Sequence, residues 1–246
     1  MTQATHPEPT PGEHRDEPHR EGLAQRLNWL RAGVLGANDG IVSVAAVAVG
    51  MAGATGAVAA IAAAGLAALV GGAISMALGE YVSVSSQRDS EHALIAKERR
   101  ELAEMPDEEL RELAGIYQAK GLRAETARQV AIELTEHDAL AAHLSAELGI
   151  DEQDVVSPWH AAFASAVSFT IGGILPLIPM LLLPQASRIP VTFVVVLLAL
   201  ATTGWVAATI GGSPAGRAVL RVVVGGALAL VATFSIGALL GTTGVG

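Results

Sequence analysis

Residues 40–79 contain no Asp, Glu, Lys or Arg, and this uncharged run restricts the possible folds more than any other feature of the sequence. A helix of about 20 apolar residues already crosses the hydrocarbon core of a bilayer, so the run is too long for one span. The chain must therefore fold back, and the Gly-Ala-Thr-Gly segment at 53–56 is the natural turn. The pattern predicts membrane spans at about 32–52 and 57–81.

Three more apolar segments follow in the second half of the chain, at about 161–183, 189–210 and 222–242. Pro176 and Pro179 interrupt the first of them and predict a kinked or broken helix, which a membrane tolerates where neighbouring groups satisfy the freed carbonyls. Hydrophobic residues make up 51% of the chain, which favours membrane spans over a soluble core. We therefore expect an all-α integral membrane protein with five transmembrane helices in a lipid bilayer.

Most of the charged residues lie between positions 88 and 157. The second span enters this region without a Gly or Pro, so its helix should continue until Pro106 ends it and starts another. Gly121 should end that helix, and a third is expected from about Ala124 into the region of Glu147. The sequence thus predicts an acidic domain of three helices, inserted between spans two and three.

The expected parts of the chain are a tail at 1–24, spans one and two at 25–88, the acidic metal-binding domain at 89–157, and spans three to five at 158–246. The tail is rich in Pro, Glu and His without apolar periodicity, a composition typical of disorder, and it lacks the apolar region of a signal peptide. Its histidines could bind a metal weakly, although their irregular spacing favours no metal role; they are His6, His14 and His19.

Charge and cysteine content exclude several classes of function. The net charge of −9 does not suit a nucleic-acid partner, which requires a basic surface, and the absence of cysteine excludes disulfides and thiolate metal sites. Basic residues near span ends favour the cytoplasmic side, so the N-terminus and the acidic domain are expected to be cytoplasmic. With no targeting segment visible, the cell membrane is the expected location. The basic residues assigned to the cytoplasmic side are Arg20, Arg26, Arg31, Arg88, Arg217 and Arg221, and Arg188 is assigned to the opposite side.

Asp39 is the only charged residue between positions 32 and 79. A carboxylate inside a span costs roughly 2.5–3.5 kcal/mol, so it normally faces a polar pathway, although a residue near a helix end can instead extend to water. Met76 and Glu80 lie one turn apart on one face of the second predicted helix, where packing and helix exit are the alternative roles. Together the three suggest a divalent metal of borderline hardness, such as Fe²⁺ or Mn²⁺.

Three pairs of glutamates, each spaced three residues apart, recur in the acidic domain. Converging helices would make them an oxygen-rich cage for several cations, whereas spacing alone favours a solvated face, because Glu is a good helix former. His137 and His143 are expected at the surface, although His137 adjoins the last pair and could join a site. The pairs are Glu98 with Glu101, Glu109 with Glu112, and Glu133 with Glu136.

Neither a hydrolase elbow, a P-loop, a dinucleotide fingerprint nor a zinc-protease motif occurs in the sequence, so we expect that the protein is not an enzyme. One alternative is a di-iron carboxylate oxidase, which requires Glu-x-x-His pairs that are absent from the acidic helices. The other is a membrane-anchored metal sensor or storage module. Such a module needs no carboxylate inside the membrane, so Asp39 counts against it.

Two motifs in this order resemble those of the vacuolar iron transporter family: Asn-Asp-Gly-Ile-Val-Ser at 38–43 and Ser-Met-Ala-Leu-Gly-Glu-Tyr-Val-Ser-Val-Ser-Ser-Gln-Arg-Asp at 75–89. The acidic insert before a proline-containing third span extends the resemblance over about residues 25–246. Members of that family are five-span homodimers that exchange cytosolic Fe²⁺, and often Mn²⁺, for protons. Their pore lies at the dimer interface and is lined by the first two spans.

The resemblance implies metal binding at particular positions of this chain. Asp39 and Met76 match the in-membrane ligands of the family, and Glu80 matches the Glu of its Gly-Glu-Tyr motif. The six paired glutamates match the family's cytoplasmic ligands, whereas Ile132 departs from a methionine that some members place beside the last pair. We therefore expect proton-coupled export of Fe²⁺ from the cytoplasm, with Mn²⁺ or Zn²⁺ possible at the same sites.

Overall fold

The computed structural model describes residues 23–150 and 157–242, with side chains from Arg31 onward. Within these residues every regular element is helical, and five helices are long and apolar enough to cross a membrane, as expected for an all-α membrane protein. The histidines of the N-terminal tail lie outside the described residues. The elements are α1 Leu23–Ala54, α2 Val58–Glu104, α3 Pro106–Ala119, α4 Ala124–His143, a π-helical turn Leu144–Leu148, α5 Pro158–Leu182, α6 Gln185–Ile210 and α7 Ala215–Thr242.

Helix α2 extends well beyond the length that a bilayer can accommodate. Its 47 residues span about 70 Å, more than twice the ~30 Å of a hydrocarbon core. The first part, up to Gly79, is apolar, and charged residues begin at Glu80, so the second half must project into water. The helix ends where the Met105 N–H bonds the Glu101 carbonyl at 2.7 Å, and Pro106 occupies the first turn of α3. The predicted continuation of this helix up to Pro106 is confirmed.

Helix α1 lies at the centre of the bundle and packs against α2, α5, α6 and α7. Glycines allow its backbone to touch that of α5: a Cβ on Gly40 would collide with the Phe169 carbonyl oxygen, and one on Gly172 with that of Ala37. Lipid offers no hydrophobic driving force between helices, so such close backbone packing is what holds membrane helices together. Because α1 is fixed at Gly40, the neighbouring Asp39 is fixed with it.

Helix α5 contains both prolines of the third predicted span. Pro176 and Pro179 are buried inside a helix that runs to Leu182 without interruption. The sequence left open whether this helix is kinked or broken, and the structure shows that it is not broken. The neighbouring side chains Leu177 and Met180 belong to the apolar core of the bundle, so the proline-containing turns are supported by packing on adjacent helices.

The acidic insert has a small apolar core of its own. Leu113 and Ala114 of α3 pack on Ala131 of α4, with Leu110 and Tyr117 partly buried against them. This is the apolar stripe of an amphipathic helix. Gly121, at φ +102°, lies in the turn that follows α3, so the predicted end of this helix is also confirmed.

Candidate metal sites

Asp39 is half-buried, and a residue of its own helix, α1, orients its carboxylate. The Ser43 hydroxyl, one turn later, donates a hydrogen bond of 2.6 Å to Asp39 Oδ1. The other carboxylate oxygen makes no hydrogen bond to a residue that the structure describes. One oxygen is thus oriented by Ser43, and the second remains as a candidate ligand atom.

A cavity of about 400 Å³ brings Asp39 together with Met76 of α2. Asn38 and Arg221 also line it, and the rest of its wall is apolar or glycine. Asn38 Oδ1 is buried without a hydrogen-bond partner among the described residues, so it is a third ligand candidate that sequence reasoning did not identify. A carboxylate, an amide oxygen and a thioether around one space can ligate a divalent metal of borderline hardness.

Glu80 follows Met76 by one turn but lies outside the set of residues that line this cavity. Its side chain is half-buried, and Oε1 is fully buried without a hydrogen-bond partner in the described chain. Further along α2 Gln87 is exposed, and its Nε2 donates a 2.9 Å hydrogen bond to Glu91 Oε1. Glu80 is thus a half-buried carboxylate that lies along α2 between Met76 and the exposed Gln87.

The acidic domain contains a buried cluster of carboxylates and imidazole. Glu98 is 3% exposed, Glu109 is 5% exposed and His143 is fully buried, and one potential ligand atom from each lies within 4.8 Å of the others. His143 Nδ1 is 2.9 Å from Glu98 Oε1, 3.6 Å from Glu109 Oε2 and 3.9 Å from Glu147 Oε2. The three groups can hold one divalent cation between them.

Hydrogen bonding inside this cluster is incomplete. The 2.9 Å approach of His143 to Glu98 lacks the direction of a hydrogen bond, so Glu98 Oε1 and both imidazole nitrogens are buried without partners among the described residues. Buried polar atoms in proteins nearly always have a partner. A cation bound between Glu98 Oε1 and His143 Nδ1 would satisfy both atoms.

The position of His143 follows from a bend in α4. Asp138 has extended backbone angles, φ −160° and ψ 96°, and its Oδ1 accepts a 3.0 Å hydrogen bond from the Ala141 N–H. A carboxylate bonding the N–H three residues later is a helix N-cap, so Asp138 restarts the helix in a new direction. The restarted turns carry His143 and Glu147, which lie one turn apart on the same side of their helix.

Electrostatics in the cluster disfavour the ionised carboxylates. Glu98 and Glu109 lie on the polar extension of α2 and on α3, beyond the apolar segment of α2. Burial raises the pKa of Glu98, and the nearby Glu147 and Glu109 raise it further, while His143 acts in the opposite direction. Burial also raises the pKa of Glu109, with Glu112 adding to the shift. A divalent cation would remove this penalty by neutralising both groups.

The other four predicted glutamates are not part of this cluster. Glu101 is half-buried and paired with Lys97 at 2.7 Å, while Glu133 is exposed and accepts a 2.8 Å hydrogen bond from Gln129 Nε2. Glu112 and Glu136 are exposed. The structure thus brings together one glutamate from each of the first two pairs and neither member of the third.

The expectation that His143 lies at the surface is wrong, whereas His137 is exposed as expected. His143 and Glu147 were missed as site residues because the third helix was treated as straight. The available signals were the His-x-x-x-Glu spacing at 143–147, which places both groups on one face, and an Asp three residues before Ala141 that can cap a restarted helix.

The helices, a cavity lined by a carboxylate and a thioether, and a buried carboxylate–imidazole cluster on the projecting part of α2 define a helical membrane protein with candidate cation-binding sites. Met76 and Glu98 are 22 positions apart on one helix, or about 33 Å.

Comparison with known proteins specifies this class further. A sequence model described as the VIT family matches residues 30–238. A vacuolar iron transporter of Acanthamoeba castellanii is 42% identical over 93% of this chain and 85% of its own length. Vacuolar iron transporter homolog 4 of Arabidopsis thaliana is 33% identical over 94% and 93% of the two chains, and homolog 1 of Oryza sativa subsp. japonica is 37% identical over 89% and 77%. The chain therefore belongs to the VIT family, whose members are transporters and not enzymes.

Proposed function

We propose that this protein moves Fe²⁺, and also Mn²⁺, out of the cytoplasm in exchange for protons. The observation that carries the proposal is the cavity in which Asp39 of α1 meets Met76 of α2. A carboxylate is costly inside a membrane and is retained there mainly for ion or proton pathways. The relatives are named as a vacuolar iron transporter and its homologues, and these names support iron as the main substrate.

The acidic domain supplies the first binding step in this proposal. Glu98, Glu109 and His143 would take a divalent cation from the cytoplasm, and the arginine distribution supports a cytoplasmic position for this domain and the N-terminus. The cation would then pass Glu80 on its way to Asp39. Fe²⁺ and Mn²⁺ both accept oxygen and imidazole ligands, and Zn²⁺ is a competitor at the same groups. The cell membrane is the proposed location.

Proton coupling follows from competition for one carboxylate. Asp39 or Glu80 would bind a proton in one half of the cycle and the metal in the other, because a single carboxylate cannot hold both. The Ser43 hydroxyl, which donates a 2.6 Å hydrogen bond to Asp39 Oδ1, would keep the carboxylate oriented during this exchange. A proton gradient across the membrane would thus drive metal release on the side where protons are abundant.

A homodimer completes the proposed pathway. The membrane part of α2 exposes a continuous apolar face formed by Val70, Ile74 and Leu78. Gly71 and Gly79 are also exposed, and a Cβ at either would meet no atom within 4 Å. Small residues on an exposed membrane helix permit close helix pairing. Two copies related by a two-fold axis would place both Asp39 cavities along one pathway.

Transport by purified protein in liposomes tests this function. Fe²⁺ uptake should depend on a pH gradient, and Asp39→Asn should lower it to the rate of protein-free liposomes. Asp89→Asn is the matched control because Asp89 is exposed on the polar half of α2. Uptake by Asp39→Asn at the wild-type rate would refute the role of Asp39, and metal binding without uptake by the wild-type protein would favour a sensor or storage module.

A further inference from the structure

A second cavity, of about 360 Å³, lies between α1, α6 and α7. Arg31 of α1 and Arg221 of α7 line it together with Asn38, and the α6 wall is formed by small residues such as Gly204 and Ala207. No described residue of α2 contributes to it, and it shares Leu35, Asn38, Arg221 and Val222 with the neighbouring Asp39 cavity. Two cationic side chains from different helices therefore share one concave, otherwise largely apolar site.

The cavity is located where the bundle meets water. It includes Gly211, directly after the end of α6, and Ala218, in the first turn of α7. Arg31 begins the apolar segment of α1, which continues to Ala54. All three positions mark the same end of their spans, at the depth where lipid headgroups replace hydrocarbon.

Arginine is suited to a phosphate partner in this setting. A guanidinium binds two phosphate oxygens at once, and it is less strongly hydrated than an ammonium group. Arg221 forms no ion pair with a residue that the structure describes, although the chain carries an excess of acidic groups. Those acidic groups lie mainly in the α2–α4 domain, and within the bundle Asp39 lines one cavity with Arg221 but forms no ion pair with it.

The surface beside the cavity fits acyl chains. Leu220, Val224 and Leu228 are 64%, 47% and 65% exposed and follow one another at four-residue intervals along α7. This spacing forms an apolar stripe that starts beside Arg221 and runs toward the membrane centre. We propose that the cavity binds the headgroup phosphate of an anionic phospholipid between Arg31 and Arg221, with the acyl chains along this stripe. Basic pockets between membrane helices are known to bind such headgroups.

Native mass spectrometry of the detergent-solubilised full chain tests the site with phosphatidylglycerol as the probe. Phosphatidylcholine with the same acyl chains serves as the zwitterionic reference. The Arg31→Gln/Arg221→Gln double variant should bind phosphatidylglycerol about 25-fold more weakly, or about fivefold for each arginine. Lipid binding is the readout because Arg221 also lines the Asp39 cavity. Failure of the transport proposal would therefore leave this result interpretable.

Two variants separate a defined site from general effects. Arg217→Gln removes the same charge one turn earlier on α7, outside the cavity lining, and should retain phosphatidylglycerol. Arg31→Lys/Arg221→Lys keeps both charges, so retention by this variant but not by the glutamine pair assigns the loss to charge. Equal weakening by Arg217→Gln, undiminished binding by the glutamine pair, or displacement of the lipid by millimolar inorganic phosphate would each overturn the proposal.

Discussion

His143 Nδ1 of α4 lies 2.9 Å from Glu98 Oε1 of α2, although 45 positions separate the two residues in the sequence. The contact joins the helix that leaves the membrane to the last helix of the acidic domain. It exists because Asp138 bends α4 and directs its final turn toward α2. The buried cluster is therefore a product of helix packing and not of local sequence.

Replacing His143 with Ala should weaken divalent metal binding by at least about tenfold. Losing even a group that only hydrogen-bonds a metal ligand already weakens binding by about this much. The reason is that His143 supplies the only nitrogen ligand of the described cluster. Isothermal titration of the purified full chain with Mn²⁺ would measure the change. His137→Ala is the matched control, since His137 is exposed and outside the cluster. Unchanged affinity in His143→Ala would contradict the assignment.

Metal binding at the cluster should weaken as the pH falls, starting above the ordinary glutamate pKa of 4.5. Folding raises the pKa of Glu98 and Glu109, so protons compete with the metal at a higher pH than for exposed glutamates. Mn²⁺ titrations between pH of about 7.5 and about 5 would measure the effect. Glu133→Gln should leave this pH dependence unchanged because Glu133 is exposed and outside the cluster.

The same shifts predict that the metal-free protein becomes less stable as the pH rises. A carboxyl whose pKa is higher in the folded state binds more protons there than in the unfolded chain. Its stabilising contribution is therefore full below pH 4.5 and is lost as the pH rises through the raised pKa. Thermal unfolding of the metal-free protein across this range would show the slope. A Glu98→Gln/Glu109→Gln variant with an equally steep slope would rule these groups out as its source.

Replacing Ser43 with Ala should lower the apparent metal affinity of transport by about 10- to 100-fold while Asp39 remains present. Its hydroxyl fixes Asp39 Oδ1 at 2.6 Å, so its loss leaves the carboxylate free to turn away from the cavity. Fe²⁺ uptake measured at several metal concentrations would separate affinity from maximal rate. Ser235→Ala is the control: Ser235 is an exposed serine of α7 that bonds only its own helix. Equal effects of both changes would argue against a specific role of Ser43.

The Gly40→Ala substitution should destabilise the bundle by about 1–3 kcal/mol, the usual cost of an overpacked contact. The added methyl would collide with the Phe169 carbonyl oxygen and force α1 away from α5. Thermal unfolding in detergent would report the loss. In Gly216→Ala the new Cβ meets no atom within 4 Å, so this control should be neutral or slightly stabilising. An unfolding midpoint of Gly40→Ala at or above the wild-type value would refute the packing argument.

Much of the fold could be predicted from local sequence because the signals act locally. The uncharged run at 40–79, the turn at 53–56 and the proline that starts α3 each constrain only their own neighbourhood, and each appears in the structure near its expected place. The bend at Asp138 could not be predicted from the local sequence in this way. An Asp inside a helical pattern is compatible with a straight helix, and only packing of the turns after it selects the bent form.

Some candidate site residues could be identified individually from the sequence, whereas others could be found only as members of a repeated pattern. Asp39 stands out because a carboxylate in an apolar segment is costly wherever that segment folds, and Met76 follows from helical spacing. Glu98 and Glu109 were found only as members of a pattern shared with four glutamates that do not join the buried cluster. Exposed and buried glutamates have the same helical spacing, so the pattern carries no information on which of them converge.

The amino-acid sequence by itself determined the membrane character, the number of candidate spans and the position at which α2 changes from apolar to charged, because hydrophobicity and helix length set these features. The tertiary structure alone decided that Asp39 and Met76 share one cavity with Arg221, and that His143 joins Glu98 and Glu109. These groupings depend on the distance and rotation between helices. Backbone contacts at glycines and the bend in α4 set those quantities, and no single segment encodes them.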